Sequence, residues 1–464
     1  MSKARFLLEL PLPLDRREPV SLARQLSGRI RDAIAQGSLR DGTKLPSSRA
    51  LAGELGVSRG VVTAAYEQLA AGGFLVVAPR SVPRVQGPRA ASEAPPALAS
   101  PLHDFTAIAP DLGLFPRREW LRAIQDVIRS APDAALDYPP PQGFPELRHE
   151  LAAYLGRVRG VRAQPSQVLI TQGFTEALEI ITRILARRGV RSIAVENPYD
   201  PYFFGTARRS GLGLAPLPVD HRGACTAELA GTPAGAVLLT PACQFPMGGV
   251  LDAGRRRQAL DWASDTGSVI IEDDYNAEYR FDRTAVAALQ GLDPDRVFYA
   301  GSTSKILAPG LRIGWLVVPR DRLAEARQEK QEQGGGSPGL DQLALARFLA
   351  AGALDEHLRR TRRTYARRRH RFIRLIDQHL PQASIAGAAA GLHVTVLLGR
   401  EVDMPAFLSG AAAAGIYLQD LSSFAFAPHQ HGQGIVLGYG RIREASAAAA
   451  LERLAALLSE HRVR

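Results

Sequence analysis

Six short apolar runs constrain this chain more than any other feature: residues 168–171, 192–195, 236–240, 268–271, 297–300 and 313–318 are rich in Val, Ile and Leu, with helical stretches between them. A strand that is apolar on both faces has to be covered on both. The alternation therefore predicts an α/β domain built on a buried, mostly parallel sheet flanked by helices. Ligands of such sheets bind at the carboxyl ends of the strands. In this chain the polar punctuation falls at those same ends.

The most informative end is Tyr299-Ala-Gly-Ser302-Thr-Ser304-Lys305, with Arg312 downstream. A lysine beside small hydroxyls and ahead of an arginine is what a pyridoxal 5'-phosphate (PLP) site requires: Lys305 as the Schiff-base amine, with Ser302, Ser304 and Arg312 to neutralise or orient the phosphate. Thr171-Gln-Gly173-Phe174-Thr175 ends one strand and opens a helix, so its amides and the Thr175 hydroxyl suit a phosphate. Taken alone, a glycine turn before a helix is common in any α/β protein. Asp273 and Tyr275 end another strand. There a carboxylate suits a protonated pyridine nitrogen and a phenol suits the ring's oxygen. The adjacent acids Asp273 and Asp274 also fit a metal ligand or a strand-end cap. Lys305 is expected one helix and one strand beyond Asp273, at the neighbouring strand end. Tyr199, after the run 192–195, suits either stacking on a cofactor ring or packing in a proline turn.

The first part of the chain reads differently. Of the net charge of +11, most lies in residues 1–90, which hold 14 Lys and Arg against 7 Asp and Glu. Such a module attracts a phosphate backbone without selecting a sequence. Apolar positions at helical spacing predict a helix over 20–36, stopped by Gly37, and a second over 49–55 capped by Ser47 or Ser48. Ser58 is placed to cap a third helix that turns Val61, Val62, Ala65 and Leu69 inward and Arg59, Gly60 and Thr63 outward. Two short helices joined by a glycine-containing turn form a helix-turn-helix, whose second helix enters a major groove. Residues 74–85 predict a β-wing carrying Arg80 and Arg84. The Pro, Ala and Ser of 87–103 form no core and predict a tether. The expected organisation is thus 1–86 for the reader, 87–103 for the linker and 104–464 for the α/β body.

The block from Leu39 through Pro46-Ser-Ser48-Arg49, Ser58-Arg59 and Ala65-Tyr66 to Leu69 resembles the winged helix-turn-helix of GntR-type regulators. That resemblance implies DNA contacts by Ser48, Arg49, Ser58, Arg59 and Thr63. From about residue 104 the chain resembles fold-type I aminotransferases, through Phe115-Pro116, Tyr138, Gly143, Arg159-Gly-Val161, Thr240 to Gly248 and the Lys305 segment. The combination is similar to the MocR subfamily of transcriptional regulators. It implies a PLP-dependent transferase fold, a head-to-tail homodimer in which Tyr138 reaches the partner's phosphate site, and paired heads on a double-stranded DNA operator. Members that sense amino acids hold the α-carboxylate with two arginines. Pro201 and Val436 stand at those places here, leaving Arg441 or Arg443 as stand-ins. The effector is accordingly expected to be PLP itself, as in the branch controlling vitamin B6 synthesis, or an amine lacking that carboxylate. A working aminotransferase with a DNA-binding head, and a cofactor-free dimerisation scaffold, are the alternatives.

Other features weigh less. Cys225 and Cys243 suit small hydrophobes rather than a disulfide framework or a metal site. His429 and His431 lack a third ligand, so no metal is expected. Arg359 to Arg371 form a basic helical run, either a solvated face or an auxiliary DNA surface. No apolar run approaches the ~20 residues of a membrane span, and the N-terminus lacks an export signal. A cytoplasmic protein with no membrane partner is expected.

Overall fold

The computed structural model describes residues 14–77, 81–86, 102–106, 108–281, 286–334, 336–387, 390–399, 401–426 and 432–462. The chain divides into two compact units, Met1–Ser100 and Pro101–Arg464. Residues 87–101 of the expected linker, Arg80 of the wing, and His429 and His431 lie outside the described residues. His103 and Asp104 already form a strand parallel to Ile416–Tyr417, so ordered pairing begins one residue before the expected start at 104.

The smaller unit is a three-helix core with a wing. Helix α1 (Leu22–Ala35) buries Leu26, Ile30, Ala33 and Ile34, and Gly37 follows it at φ 75°. Helix α2 (Ser48–Leu55) is capped by Ser47, whose side chain accepts from Ala50 N at 3.2 Å. It ends at Gly56 with φ 62°, a left-handed turn that favours glycine. Helix α3 (Arg59–Ala71) buries Val62, Ala65, Tyr66 and Leu69. Ser58 holds the N-cap position of α3, but its side chain makes no capping bond there. Thr63, expected outward, is half-buried. The sequence reading passed over one pin: the buried Tyr66 hydroxyl donates to Pro46 O at 2.9 Å, tying α3 to the chain entering α2. The wing pairs Leu75 with Val85 and Val76 with Arg84, and Lys44 bridges to Arg84 from before α2.

In the larger unit, eight strands lie in the order Val168–Thr171, Gly314–Val317, Val297–Ser302, Val269–Asp273, Ala236–Leu239, Ser192–Asn197, Gly213–Asp220 and Gly223–Ala224. Pairing is parallel through the middle, and Gly314–Val317 runs antiparallel to both of its neighbours. Side chains alternate between the faces with period two. Val168, Ile170, Tyr299, Trp315 and Val317 pack with helices Pro145–Arg159 and Gly339–Ala350, whereas Leu169, Phe298, Ala300 and Leu316 pack against helix Phe174–Arg187. Each large apolar side chain so buried contributes about 1.5–3 kcal/mol. A second sheet, Ser384–Ala386, His393–Leu397, Gly434–Gly438 and Gln419–Asp420, forms a smaller lobe with helices Met404–Ala413 and Glu444–Glu460 and the end of the long helix Ala353–His379.

Two expectations are corrected. Between Asp273 and Lys305 the described residues contain no helix, only turns and the strand Val297–Ser302. The neighbouring-strand placement holds, because Val297–Ser302 pairs directly with Val269–Asp273. The strand Gly213–Asp220 was not anticipated. Pro216 and Pro218 argue against a central strand, yet this one pairs over most of its length with Ser192–Asn197 alone, and only Val219 and Asp220 meet the next strand.

Candidate functional site

Ten of the residues singled out from the sequence converge on one cavity of about 420 Å³ in the larger unit. Gly173, Phe174, Thr175, Tyr199, Asp273, Tyr275, Ser302, Ser304, Lys305 and Arg312 all line it. Tyr138 does not; its side chain is 96% exposed. Sequence reasoning missed Thr106, Ile108, Asp200, Tyr202, Phe203, Phe245, Pro309, Gln419 and Phe424. Phe245 and Pro309 lie inside segments that carried the aminotransferase resemblance without being singled out; the others come from segments with no motif of their own, although the run Tyr202-Phe203-Phe204 after Tyr199 was a signal of an aromatic wall.

The floor follows from the sheet. Asp273 and Lys305 sit at the ends of adjacent parallel strands. Asp273 is buried; the Tyr199 hydroxyl donates to its Oδ2 at 2.8 Å, and its Oδ1 has no partner. Burial pushes this carboxyl up to about 8; Asp274 and Glu196 add to the rise, while the Tyr199 bond and Lys305 oppose it. Tyr199 therefore does more than present a ring, since its hydroxyl fixes the carboxylate. The neighbouring acid faces elsewhere: Asp274 Oδ2 takes the Arg159 guanidinium at 2.7 Å and the Tyr299 hydroxyl at 2.6 Å inside the protein. Of the two adjacent acids, only Asp273 serves the cavity. Among the described residues no cluster of His, Cys, Asp or Glu could hold a metal ion.

Burial lowers the pKa of Lys305; Asp200 and Asp273 work against that effect, and Arg441 adds to it. The Lys305 amine donates to the carbonyl of Ile108. The Tyr275 hydroxyl is directed to Cys243 Sγ at 3.6 Å. Cys243 is buried and Cys225 half-buried, both free.

At the opposite side, Gly173 has φ 100° and caps helix Phe174–Arg187, whose first turn carries Thr175. The Arg312 guanidinium lies against Gly173, about 3.8 Å from where a β-carbon would stand. Arg312 is also the one non-glycine residue with positive φ among the described residues, at 51°. Left-handed backbone costs such a residue about 1–2 kcal/mol, and strain of this kind collects at functional sites. A helix N-terminus, two hydroxyls from Ser302 and Ser304, and a strained arginine together make an anion cup.

The walls are aromatic. Phe174 and Phe203 meet edge to face at 4.9 Å, as do Phe245 and Phe424 at 5.3 Å and Phe245 and Tyr275 at 5.8 Å. Pro201 stands in a short 3-10 turn, and Val436 is buried in the strand Gly434–Gly438. Of the two proposed stand-in arginines, Arg441 acts electrostatically on Lys305 and donates to Pro110 O at 3.1 Å, whereas Arg443 lines a separate cleft.

In the smaller unit, Arg49, Ser58 and Arg59 are exposed, while Ser48 and Thr63 are half-buried. Arg59 Nε donates to Ser48 Oγ at 3.3 Å, bringing the starts of α2 and α3 together.

Comparison with known proteins assigns a family to each unit. Residues 109–456 match the family of class I and II aminotransferases, and residues 22–85 match the gntR family of bacterial regulatory proteins. The chain is 33% identical to the probable rhizopine catabolism regulatory protein MocR of Rhizobium meliloti, over 93% of this chain and 92% of that one. It is 30% identical to the HTH-type pyridoxine biosynthesis transcriptional regulator PdxR of Corynebacterium glutamicum, over 94% and 95%. Among solved structures, an archaeal alanine:glyoxylate aminotransferase superposes with a TM-score of 0.71 at 25% identity, covering 77% of this chain and 91% of that one.

Proposed function

The chain belongs to the MocR-type subfamily of GntR transcriptional regulators, and from that membership we propose a DNA-binding regulator whose operator affinity is set by PLP, or by a small amine, at Lys305. One observation carries the cofactor assignment: a buried carboxylate oxygen, Asp273 Oδ1, stands without a partner in the cavity that holds Lys305. An uncompensated buried acceptor costs free energy, and a protonated pyridine nitrogen is the donor it lacks.

The remaining residues fit the same group. Lys305 carries it; Gly173, Phe174, Thr175, Ser302, Ser304 and Arg312 take the phosphate; Tyr199 and Tyr275 flank the ring. PLP supplies an aldehyde that captures primary amines and a ring that withdraws electrons. Burial lowers the pKa of Lys305, which favours the uncharged, nucleophilic amine relative to an exposed lysine. The aromatic walls leave little to hold an α-carboxylate, since Pro201 and Val436 offer no cation. The preferred effector is therefore PLP or an amine without that carboxylate, and control of vitamin B6 synthesis, suggested by the name of the Corynebacterium relative, is part of this reading. Retained amine chemistry makes half-reactions feasible, but the missing arginines disfavour sustained transamination.

Tyr138, almost fully exposed, is assigned to the phosphate site of a partner in a head-to-tail homodimer. The two heads then meet two half-sites of double-stranded DNA, and the effector acts by binding two arrangements of the dimer unequally. Ser48, Arg49, Ser58, Arg59 and Thr63 are assigned to the DNA. Among the described residues no helix is long and apolar enough to cross a membrane, and the setting proposed is the cytoplasm.

The test is a footprint of the full chain on the DNA upstream of its own gene, with and without PLP, beside Lys305→Ala. PLP-dependent protection in the wild type, with loss of the dependence and of the yellow cofactor absorbance in the variant, is expected. Absorbance that survives in Lys305→Ala, or an operator indifferent to PLP, refutes the proposal.

A further inference from the structure

A second concavity, of about 260 Å³, lies between the long helix Ala353–His379 and the start of helix Glu444–Glu460. Arg367, Arg368 and Arg371 enter it from the long helix, and Arg443 enters from the N-cap of the other. Its apolar floor includes Phe372 and Leu375. Among the described residues no carboxylate lines the cleft. Arg368 is held by Asp111 at 2.7 Å, whereas the side chains of Arg367 and Arg443 make no hydrogen bond or ion pair among the described residues.

Guanidinium groups facing one concavity repel one another, and the positive end of a 17-residue helix adds to the same potential. An anion relieves both. The shape selects its kind: a DNA backbone docks on an open face, whereas this cleft is concave with an aromatic and aliphatic floor, as small-molecule sites are. We propose that it is a second ligand site, taking a small organic anion whose phosphate or carboxylate head is held by Arg367 and Arg443 and whose apolar body rests on Phe372 and Leu375. Arginine pairs suit such heads because each guanidinium offers two parallel donors. The site is independent of the PLP reading, sharing no lining residue with the Lys305 cavity.

The test is calorimetric titration of the full chain, loaded with PLP and freed of excess so that the Lys305 cavity is filled, with phenyl phosphate, benzoate and inorganic phosphate. Saturable phenyl phosphate binding is expected, at least fivefold tighter than inorganic phosphate; benzoate shows whether a carboxylate head serves as well. Arg367→Ala with Arg443→Ala weakens phenyl phosphate at least tenfold in the PLP-loaded chain. Bromine anomalous scattering from a crystal soaked in 4-bromophenyl phosphate locates the probe even if the double variant folds poorly. Overturning results are binding seen only before PLP is loaded, binding to the loaded chain that survives the double variant, bromine outside the cleft, or a double variant that loses non-operator DNA affinity while keeping phenyl phosphate.

Discussion

Asp273→Asn isolates the energetic cost of keeping a carboxyl ready for a cation that is absent. In the folded chain this group sits at about 8, against 3.8 for an exposed aspartate, chiefly because it is buried. Between those values the unfolded chain has released the proton and the folded chain retains it, so raising the pH favours unfolding. Linkage sets the ceiling at about 1.4 kcal/mol per pH unit for one proton. With relaxation around the charge, we expect about 0.7–1.4 kcal/mol per unit. This stability is fully present below pH 3.8 and is lost as the pH rises through about 8. Asparagine keeps an acceptor for the Tyr199 hydroxyl but cannot ionise. In the cofactor-free protein, the variant's advantage over wild type should therefore grow by about 2–4 kcal/mol from pH 5 to pH 8. With PLP present the sign reverses, because the pyridinium loses its counter-charge. The assay is urea unfolding followed by tryptophan fluorescence. All three tryptophans, Trp120, Trp262 and Trp315, lie in the larger unit, so the signal reports that unit alone. Parallel stability curves for variant and wild type across this range would falsify the argument.

Two further outcomes concern the smaller unit. Arg59→Ala should weaken operator binding by about 1–3 kcal/mol and relax sequence preference if its contact is a bidentate one to a base; equal weakening on every DNA, read by competition gel shift, would reduce it to a phosphate contact. Tyr66→Phe strands the Pro46 carbonyl and should destabilise the smaller unit by about 1–3 kcal/mol, read by far-ultraviolet circular dichroism on thermal melting; an unchanged midpoint would mean that water satisfies that oxygen.

Much of this architecture was legible because burial writes itself into composition. The runs at 168–171, 236–240 and 297–300 could only be strands covered on both faces, and the lysine, acid and glycine-turn signals fell at their ends. The strand Gly213–Asp220 hid because its two prolines contradict strand propensity, a conflict that an almost bare edge resolves. The cavity's far wall was invisible for a different reason: Thr106 lies well before Thr175 in sequence, Gln419 and Phe424 lie far beyond Tyr199, and none carries a spacing signal, so only the completed topology joins them. That Asp273 rather than Asp274 faces the cavity was equally undecidable from adjacent letters. It depends on Arg159, more than a hundred residues earlier, claiming the other acid.

The bond from Lys305 to the Ile108 carbonyl has a mechanical corollary. An ammonium has three protons to share, and a nitrogen captured by a carbonyl compound has fewer. The backbone it releases lies just beyond the point where the polypeptide enters its larger half and is stitched at His103–Asp104 to the smaller lobe. Capture of that nitrogen would therefore be felt first by the backbone at Ile108, four residues past the pairing of Asp104.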